Sequence, residues 1–252
     1  LVAGQIYRHY ALGWPAATNT NRSPQWVEIH NEPDGMFWNG DREQFYDMHE
    51  LLYEAVSKVT DPGLDEPPVG GAGFTDGGVS NWLNGNGGFV TDYMAIHGTN
   101  QLDFLSVHHY NDCESANLAK LADYMAELRH TTNQVNAGLP LLVTEWNIGL
   151  GSECGSDFFT SQQAAAYAAA AAAVFADPSL GVAGTWFYAG TPIMSLFAMN
   201  ETTTNMSVNP LAWGLAWHGR LTGATAVLTE VCDGLGNDCI GQAAATSAGA
   251  PI

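Results

Sequence analysis

Basic residues are scarce in this chain. Its 252 residues include seven Lys and Arg against 26 Asp and Glu, which gives a formal net charge of −19. A surface of this sign repels phosphate groups, so the composition argues against nucleic acids and anionic membranes as partners. A solvated acidic surface is the simplest interpretation of this excess, and an acidic surface that recognises a specific partner is the less favoured alternative.

Long apolar runs and a leader are also lacking. Apolar residues make up 46% of the chain, enough for a substantial core, but the most apolar stretch, residues 162–176, is Ala-rich. That stretch is too short and too weakly hydrophobic to cross a bilayer, so no membrane association is predicted. The opening LVAGQIYRHY has neither a basic leader nor a long apolar segment, and no signal peptide is predicted in the given sequence.

Cysteines are few, and none of the four shows the paired spacing of a zinc site, so no metal is predicted. Cys232 and Cys239 bracket the turn-rich segment DGLGND and are candidates for a small disulfide. Cys113 and Cys154 each follow a predicted strand end, and they can pair if their loops are neighbours. Four free or buried thiols are the alternative. The even number, together with the acidic surface, favours a secreted or periplasmic protein.

What the chain does contain is an alternation of apolar strand patterns and helical patterns. The predicted strands cover residues 26–30, 67–74, 102–110, 139–145 and 181–188. The predicted helices cover residues 2–12, 40–59, 90–97, 118–130, 160–176 and 210–221. Repeated strand–helix units predict an α/β fold with a parallel sheet and outer helices, as in a (β/α)8 TIM-type barrel.

Five such strands are found, whereas a closed barrel of this type has eight. The given sequence is therefore expected to lack the first three strand–helix units. Residues 1–221 are predicted to form this partial barrel. Residues 222–252 begin with another strand-like segment, TAVLTEV, and are predicted to form a stub of a C-terminal β-domain with an Ala/Gly-rich tail.

Two glutamates stand where predicted core strands run out. Glu32 lies in WVEIHNEPDG, and Glu145 ends the apolar run of LPLLVTEWNIG. The carboxyl ends of the strands carry the active site in β/α barrels. Retaining glycosidases use two carboxyl groups roughly 5 to 5.5 Å apart, one as acid and then base, the other as nucleophile. This pattern predicts a pair of catalytic carboxylates.

An ordered set of motifs carries a family resemblance. EIHNEPDG, FYDMHELLYEAVSKV, PPVGGAGF, LDFLSVHHY and LPLLVTEWN, in this order, resemble the motifs of clan A retaining glycoside hydrolases. The likeness is greatest to family 39, the β-xylosidase and α-L-iduronidase family, and covers roughly residues 25–221. It implies that Glu32 is the acid/base, that Glu145 is the nucleophile, and that Asn31 binds the sugar 2-hydroxyl. It also implies an oligo- or polysaccharide substrate and no cofactor, since both roles are carboxylate roles.

The sequence departs from the family in three respects. His30 stands before Asn31, where the family usually has Trp. The first three strands, with the subsite residues that their loops supply, are missing from the given sequence. The C-terminal β-sandwich is reduced to a stub after Leu221.

Three further residues are candidates for substrate binding. Strand alternation places His108 and Tyr110 on one face of the segment SVHHYND. The clan pattern implies that the Tyr110 hydroxyl steadies the nucleophile. His108 is either a subsite residue or a hydrogen-bonded core histidine. Trp186, near the end of the last core strand, is either a platform for a sugar ring or a core aromatic.

The sequence therefore predicts a retaining glycoside hydrolase that cleaves β-glycosidic bonds, with a β-xylosidase-like enzyme as the best single assignment. An endo-acting polysaccharide hydrolase, such as an agarase or an exopolysaccharide hydrolase, is the alternative among enzymes. A non-catalytic carbohydrate-binding remnant is the alternative outside enzymes.

Overall fold

The protein is an α/β structure built on a parallel sheet. The computed structural model describes residues 2–12, 24–59, 66–111, 118–149, 158–189, 194–199, 206–221, 225–228 and 242–245. Five strands form one sheet in the order β1–β2–β3–β4–β5. They are β1 (Val27–Glu28), β2 (Val69–Phe74), β3 (Leu105–Asn111), β4 (Leu141–Ile148) and β5 (Val182–Phe187). This order, in which each strand neighbours the next in sequence, matches the five consecutive strands predicted for a partial TIM-type barrel.

Helices connect and flank these strands. They are α1 (Val2–Leu12), α2 (Arg42–Ser57), α3 (Asp76–Leu83), α4 (Phe89–His97), α5 (Leu118–Val135), α6 (Gln162–Phe175) and α7 (Pro210–Leu221). Two antiparallel strand pairs come after β5 in the chain. The strands β6 (Phe197–Met199) and β7 (Met206–Val208) pair before α7, and the strands β8 (Thr225–Leu228) and β9 (Gln242–Ala245) pair after it. In the part of the chain that is described, no helix combines the length and apolar character needed to cross a membrane.

Three of the helices, α2, α3 and α6, begin at residues suited to capping. Asp41 precedes α2, where its side chain accepts a hydrogen bond from the Gln44 amide while the Gln44 side chain accepts one from the Asp41 amide. Thr75 and Ser161 cap α3 and α6 through side-chain oxygens. Each cap satisfies an amide that the helix itself leaves unpaired, which is worth about 1 kcal/mol.

The described residues divide into two compact units. The first lies within residues 1–108 and 128–144, and the second lies within residues 109–127 and 145–252. In the first unit, a core cluster joins α1, β1, α2 and β2. Its buried members are Tyr7, Ile29, Val56, Val59 and Val69. Burying a Val or Ile side chain contributes roughly 1.5 to 3 kcal/mol, and Tyr7 is the buried member through which α1 joins this cluster.

The sheet curves within the first unit. The hydroxyl of Thr144, on β4, donates a hydrogen bond to Glu28 Oε1, on β1, over 2.8 Å. Three strand spacings of about 4.8 Å separate these strands along a flat sheet, more than the two short side chains can span. β1 and β4 must therefore turn toward each other, as they do around the interior of a barrel.

A buried histidine pair lies between α2 and α4 of the first unit. The side chains of His49 and His97 are fully buried, with ring centroids 4.7 Å apart. His49 Nε2 donates to the carbonyl of Gln101 over 3.0 Å, so its Nδ1 is left to accept from the Tyr93 hydroxyl at 3.2 Å. Burial lowers the pKa of His49 to about 4 and also lowers the pKa of His97.

Two element boundaries differ from the sequence expectation for reasons visible in the backbone. β1 ends at Glu28 rather than at residue 30, because His30 adopts a left-handed conformation, with φ of 74°, that a strand does not accommodate. β4 continues beyond Glu145 to Ile148, and the amide of Tyr188, just past β5, donates to the carbonyl of Trp146 over 3.0 Å. Glu145 thus lies within β4 and not at its last position.

Candidate active site

The first candidate carboxylate lies on a tight turn that follows β1. Glu32 and His30 both have positive φ angles, 45° and 74°, which are uncommon for residues other than glycine and indicate backbone strain. The amide of Glu32 donates to the carbonyl of Gly73 over 3.1 Å, and the amide of Gly35 donates to the carbonyl of Glu32 over 3.0 Å. β2 therefore supports the turn that presents Glu32.

A buried histidine contacts the Glu32 carboxylate. His108 lies on β3 with its side chain 1% exposed, and its Nδ1 is 2.8 Å from Glu32 Oε1. Gly73 leaves room for the imidazole, because a Cβ on this glycine would lie 2.7 Å from His108 Nε2. The Gly73 amide donates to the Ser106 hydroxyl over 2.8 Å, which fixes the glycine against the same strand. The structure thus places His108 against the candidate acid/base.

Asp34 ties the same turn to the start of α3. Its Oδ1 accepts a hydrogen bond from the Thr75 amide over 3.1 Å, and its Oδ2 accepts one from the Thr75 hydroxyl over 2.7 Å. The Thr75 hydroxyl oxygen in turn accepts a hydrogen bond from the Gly78 amide over 3.1 Å. Desolvation by burial raises the pKa of Asp34 above its ordinary value, against the opposing effect of the hydrogen bonds from Thr75.

The second candidate carboxylate is oriented by a tyrosine. The hydroxyl of Tyr110, on β3, donates a hydrogen bond to Glu145 Oε2 over 2.5 Å. The Tyr110 ring meets the ring of Tyr188 edge to face, with centroids 6.0 Å apart. The Asn147 side-chain amide donates to the carbonyl of Tyr188 over 2.7 Å, and so connects the residues after Glu145 to the end of β5. This hydrogen bond to Glu145 is the contact that the clan pattern implies for Tyr110.

The remaining candidates occupy the expected elements. Asn31 is half-buried beside Glu32, and its carbonyl accepts a hydrogen bond from His30 Nδ1 over 3.0 Å. Trp186 lies on β5 with 45% of its surface exposed, which leaves ring area open to a ligand. Trp146, by contrast, is buried and packs edge to face against Phe175 and Phe187. The disulfide candidates Cys113, Cys154, Cys232 and Cys239 all lie outside the described residues.

Sequence reasoning did not identify the supporting residues of the Glu32 turn. Gly73, Ser106 and Thr75 come from segments that the sequence indicated as strands or as a strand end. The glycines of PPVGGAGF were the available signal, since isolated glycines in a strand often mark a close approach. That signal does not reveal that Gly73 lies against His108 or that Thr75 binds Asp34. Glu32 and Glu145 belong to different compact units, and the separation of their carboxyl groups stays a prediction.

Comparisons with known proteins place the fold among glycoside hydrolases. No protein-family model and no curated protein sequence matches this chain. A glucosidase from Croceicoccus marinus is similar in structure, with a TM-score of 0.72 and 24% identity over 98% of this chain and 50% of that chain. A GH39 enzyme from Xanthomonas axonopodis pv. citri gives a TM-score of 0.65 and 19% identity over 92% and 48%.

A bacterial orthologue of human α-L-iduronidase is a third similar structure, with a TM-score of 0.62 and 15% identity over 85% of this chain and 39% of that chain. This chain thus spans half, or less, of the length of these three structures. They include a family 39 enzyme and an iduronidase-like enzyme, in agreement with the resemblance drawn from the motifs. At these identities the likeness establishes a shared fold.

Proposed function

We propose that this protein is a retaining glycoside hydrolase acting on β-glycosidic bonds of an oligo- or polysaccharide, with β-xylosides as the best single substrate assignment. The observation that carries the proposal is the pairing of each candidate glutamate with a side chain on β3. His108 contacts Glu32, and Tyr110 contacts Glu145. Two motif glutamates, each oriented in this way near the carboxyl end of a barrel strand, are what a two-carboxylate mechanism requires.

The proposed reaction proceeds in two displacements. In the first, a Glu145 carboxylate oxygen attacks the anomeric carbon, and the glycosidic C–O bond breaks as Glu32 gives its proton to the leaving oxygen. In the second, Glu32 takes a proton from water, the water oxygen attacks the anomeric carbon, and Glu145 is released. Two inversions give net retention of configuration.

The neighbouring residues have supporting roles in this proposal. Asn31 donates a hydrogen bond to the sugar 2-hydroxyl, an interaction that strengthens in the transition state. The Tyr110 hydroxyl holds Glu145 in the orientation needed for attack. Trp186 offers its exposed face to a sugar ring, since aromatic rings present an apolar surface that such rings cover. Residues 1–221 are proposed to form the catalytic barrel and residues 222–252 the start of a β-rich region, in a secreted or periplasmic protein.

A panel of aryl glycosides, with polysaccharides alongside, tests the proposal. Turnover of an aryl β-xyloside, with the first-formed sugar in the β configuration by proton NMR, is the expected result. Activity on polymer alone would instead favour the endo-acting alternative. Carbohydrate binding without turnover of any substrate would indicate a non-catalytic remnant, and an α-configured first product would exclude the retaining mechanism.

A further inference from the structure

The turn that presents Glu32 requires support beyond its own sequence. Glu32 and His30 both occupy the left-handed region of backbone space, where a side chain is strained. Such strain persists only when the surrounding structure over-determines the conformation. The backbone hydrogen bonds from Glu32 to Gly73 and from Gly35 to Glu32 supply part of that support. A loop of this kind also needs a fixed attachment on its far side.

Asp34 provides that attachment. Both of its carboxylate oxygens lie within hydrogen-bond distance of the Thr75 amide, at 3.1 and 3.2 Å, and Oδ2 also accepts from the Thr75 hydroxyl at 2.7 Å. A carboxylate that accepts several hydrogen bonds is held in one orientation. Thr75 is itself fixed, because its backbone continues from β2 and its hydroxyl oxygen caps α3. The clamp therefore joins the Glu32 turn to two regular elements.

The surroundings of the clamp are shaped to fit it. A Cβ at Gly78 would overlap Asp34 Oδ2, and a Cβ at Gly35 would lie 3.2 Å from the Thr75 Cγ2 methyl. Burial raises the pKa of Asp34, so this carboxyl occupies a partly desolvated position in which an unpaired charge would be costly. Small residues at positions 35 and 78 let the carboxylate approach the helix start closely. The contact is thus a packed feature of the fold and not an exposed surface hydrogen bond.

We propose that Asp34 is a positioning residue for Glu32, with Thr75 as its anchor, and that the clamp between them sets the efficiency of proton donation to the leaving group. The proposal rests on the acid/base role proposed above for Glu32. If the clamp is released, the strained turn can relax and the Glu32 carboxyl can move away from the leaving oxygen. Displacements of about 1 Å in a reacting group can cost on the order of 100-fold in rate.

The dependence of kcat/KM on the leaving group distinguishes a positioning role from a purely structural one, because a loss of stability alone would lower kcat/KM equally on all glycosides. The test compares 2,4-dinitrophenyl and phenyl glycosides of the sugar that the wild-type protein turns over. Asp34→Ala and Thr75→Val should each lower kcat/KM on the phenyl glycoside by about 30- to 100-fold. On the dinitrophenyl glycoside, whose leaving group needs little protonation, the loss should stay within about threefold. Thr75→Ser keeps the hydroxyl and should restore the wild-type ratio.

A matched control comes from the same loop. Asp41 caps α2 as Thr75 caps α3, but its side chain contacts Gln44 and neither Glu32 nor Thr75. Asp41→Ala should therefore weaken a neighbouring helix start while affecting both glycosides equally. The Asp34→Ala/Thr75→Val double variant should lose no more than the larger single loss, because the hydroxyl hydrogen bond that Thr75→Val removes is among those that Asp34→Ala already removes. Equal losses on the two glycosides in Asp34→Ala, or additive losses in the double variant, would overturn the proposal.

Crystal structures of the variants test whether Asp34 positions Glu32, and this test does not depend on turnover. Crystal structures of Asp34→Ala and Thr75→Val should show Glu32 outside the left-handed region or the His108 Nδ1 to Glu32 Oε1 distance lengthened beyond its present 2.8 Å. Glu32 unchanged in both variants would overturn the role of Asp34 even if the enzyme is active. A wild-type protein without glycosidase activity would refute the proposed function alone, and the two structures would still decide whether Asp34 positions Glu32. Should Asp34→Ala fail to fold, the comparison of Thr75→Val with Thr75→Ser carries the same test.

Discussion

Tyr110 donates its hydroxyl proton to Glu145 Oε2 over 2.5 Å, and the two residues come from neighbouring strands of the sheet. A hydrogen bond to a charged group contributes about 1.5 to 3 kcal/mol. Tyr110→Phe keeps the ring and removes this bond, so we expect kcat to fall by about 10- to 100-fold. Steady-state kinetics on an aryl glycoside measure the effect. Tyr53→Phe is the control, since the Tyr53 hydroxyl donates a longer hydrogen bond, over 3.4 Å, to Asp103, which is not a candidate catalytic residue. Equal losses in the two variants would contradict the assignment.

Replacement of Glu145 tests the nucleophile directly. Glu145→Gln should lose turnover by about 10³-fold or more on any substrate, because an amide of the same shape cannot attack the anomeric carbon. Azide should not rescue it. In Glu145→Gly with azide, the small anion can enter the space left by the side chain, and an α-glycosyl azide should form from a β-glycoside. Glu54→Gln, which changes an exposed pair with Lys58, serves as control. Near-normal rates in Glu145→Gln would exclude Glu145 as nucleophile.

Gly73 is predicted to be sensitive to a single methyl group. It has φ of 56°, and a Cβ there would lie 2.7 Å from His108 Nε2. Gly73→Ala should therefore displace the imidazole that contacts Glu32 and lower both stability and kcat/KM. Gly138→Ala is the matched control, because Gly138 has φ of 80° and no heavy atom within 4 Å of the added Cβ.

Both alanines carry a similar left-handed backbone penalty of about 1 to 2 kcal/mol. Overpacking adds about 1 kcal/mol or more at Gly73 alone. Denaturant unfolding of the two variants measures the difference. If Gly73→Ala proved no less stable than Gly138→Ala and kept full activity, the close approach of His108 would have no functional consequence.

The sequence predicted the regular elements best where apolar periodicity was strong. Helices at residues 2–12 and 210–221 were predicted with the bounds that the structure shows. α3, with sequence DGGVSNWL, was missed because its two glycines lower helix propensity. It forms nonetheless, since Thr75 caps it and Val79 and Trp82 are buried. Tertiary contacts there outweigh local preference, and those contacts are not visible in a short window of sequence.

The candidate site could be located from its motifs but not constructed from them. The NEP and TEW segments point to Glu32 and Glu145, because they combine a carboxylate with a strand end. The left-handed backbone at Glu32 and the contact with His108 depend on Gly73, which lies about 40 positions away in the chain. Such features arise from the pairing of β1 with β2 and β2 with β3. Only the three-dimensional register of those strands determines them.

The buried histidine pair predicts that the first unit loses stability in acid. Burial lowers the pKa of His49 from 6.5 to about 4, so the unfolded chain takes up a proton at a higher pH than the folded protein. His49 therefore favours the folded state fully above about pH 6.5, and this contribution is lost as the pH falls toward 4. The loss amounts to about 3 kcal/mol for this group. His97, whose pKa burial also lowers, adds to it in the same direction.

Urea unfolding at pH values from about 7.5 down to 4 measures this dependence. The upper limit lies about one pH unit above the pKa of histidine in the unfolded chain. His49→Gln retains a donor for the Gln101 carbonyl but cannot titrate, so the slope of unfolding free energy against pH should decrease by up to about one proton. His130→Gln is the control, because His130 is exposed on α5 and contacts only Gln134 among the hydrogen-bonding side chains described. The control should leave the slope unchanged. An identical slope in His49→Gln and the wild-type protein would mean that the buried imidazole takes up its proton without unfolding, and that α2 and α4 separate enough in the folded state to admit water.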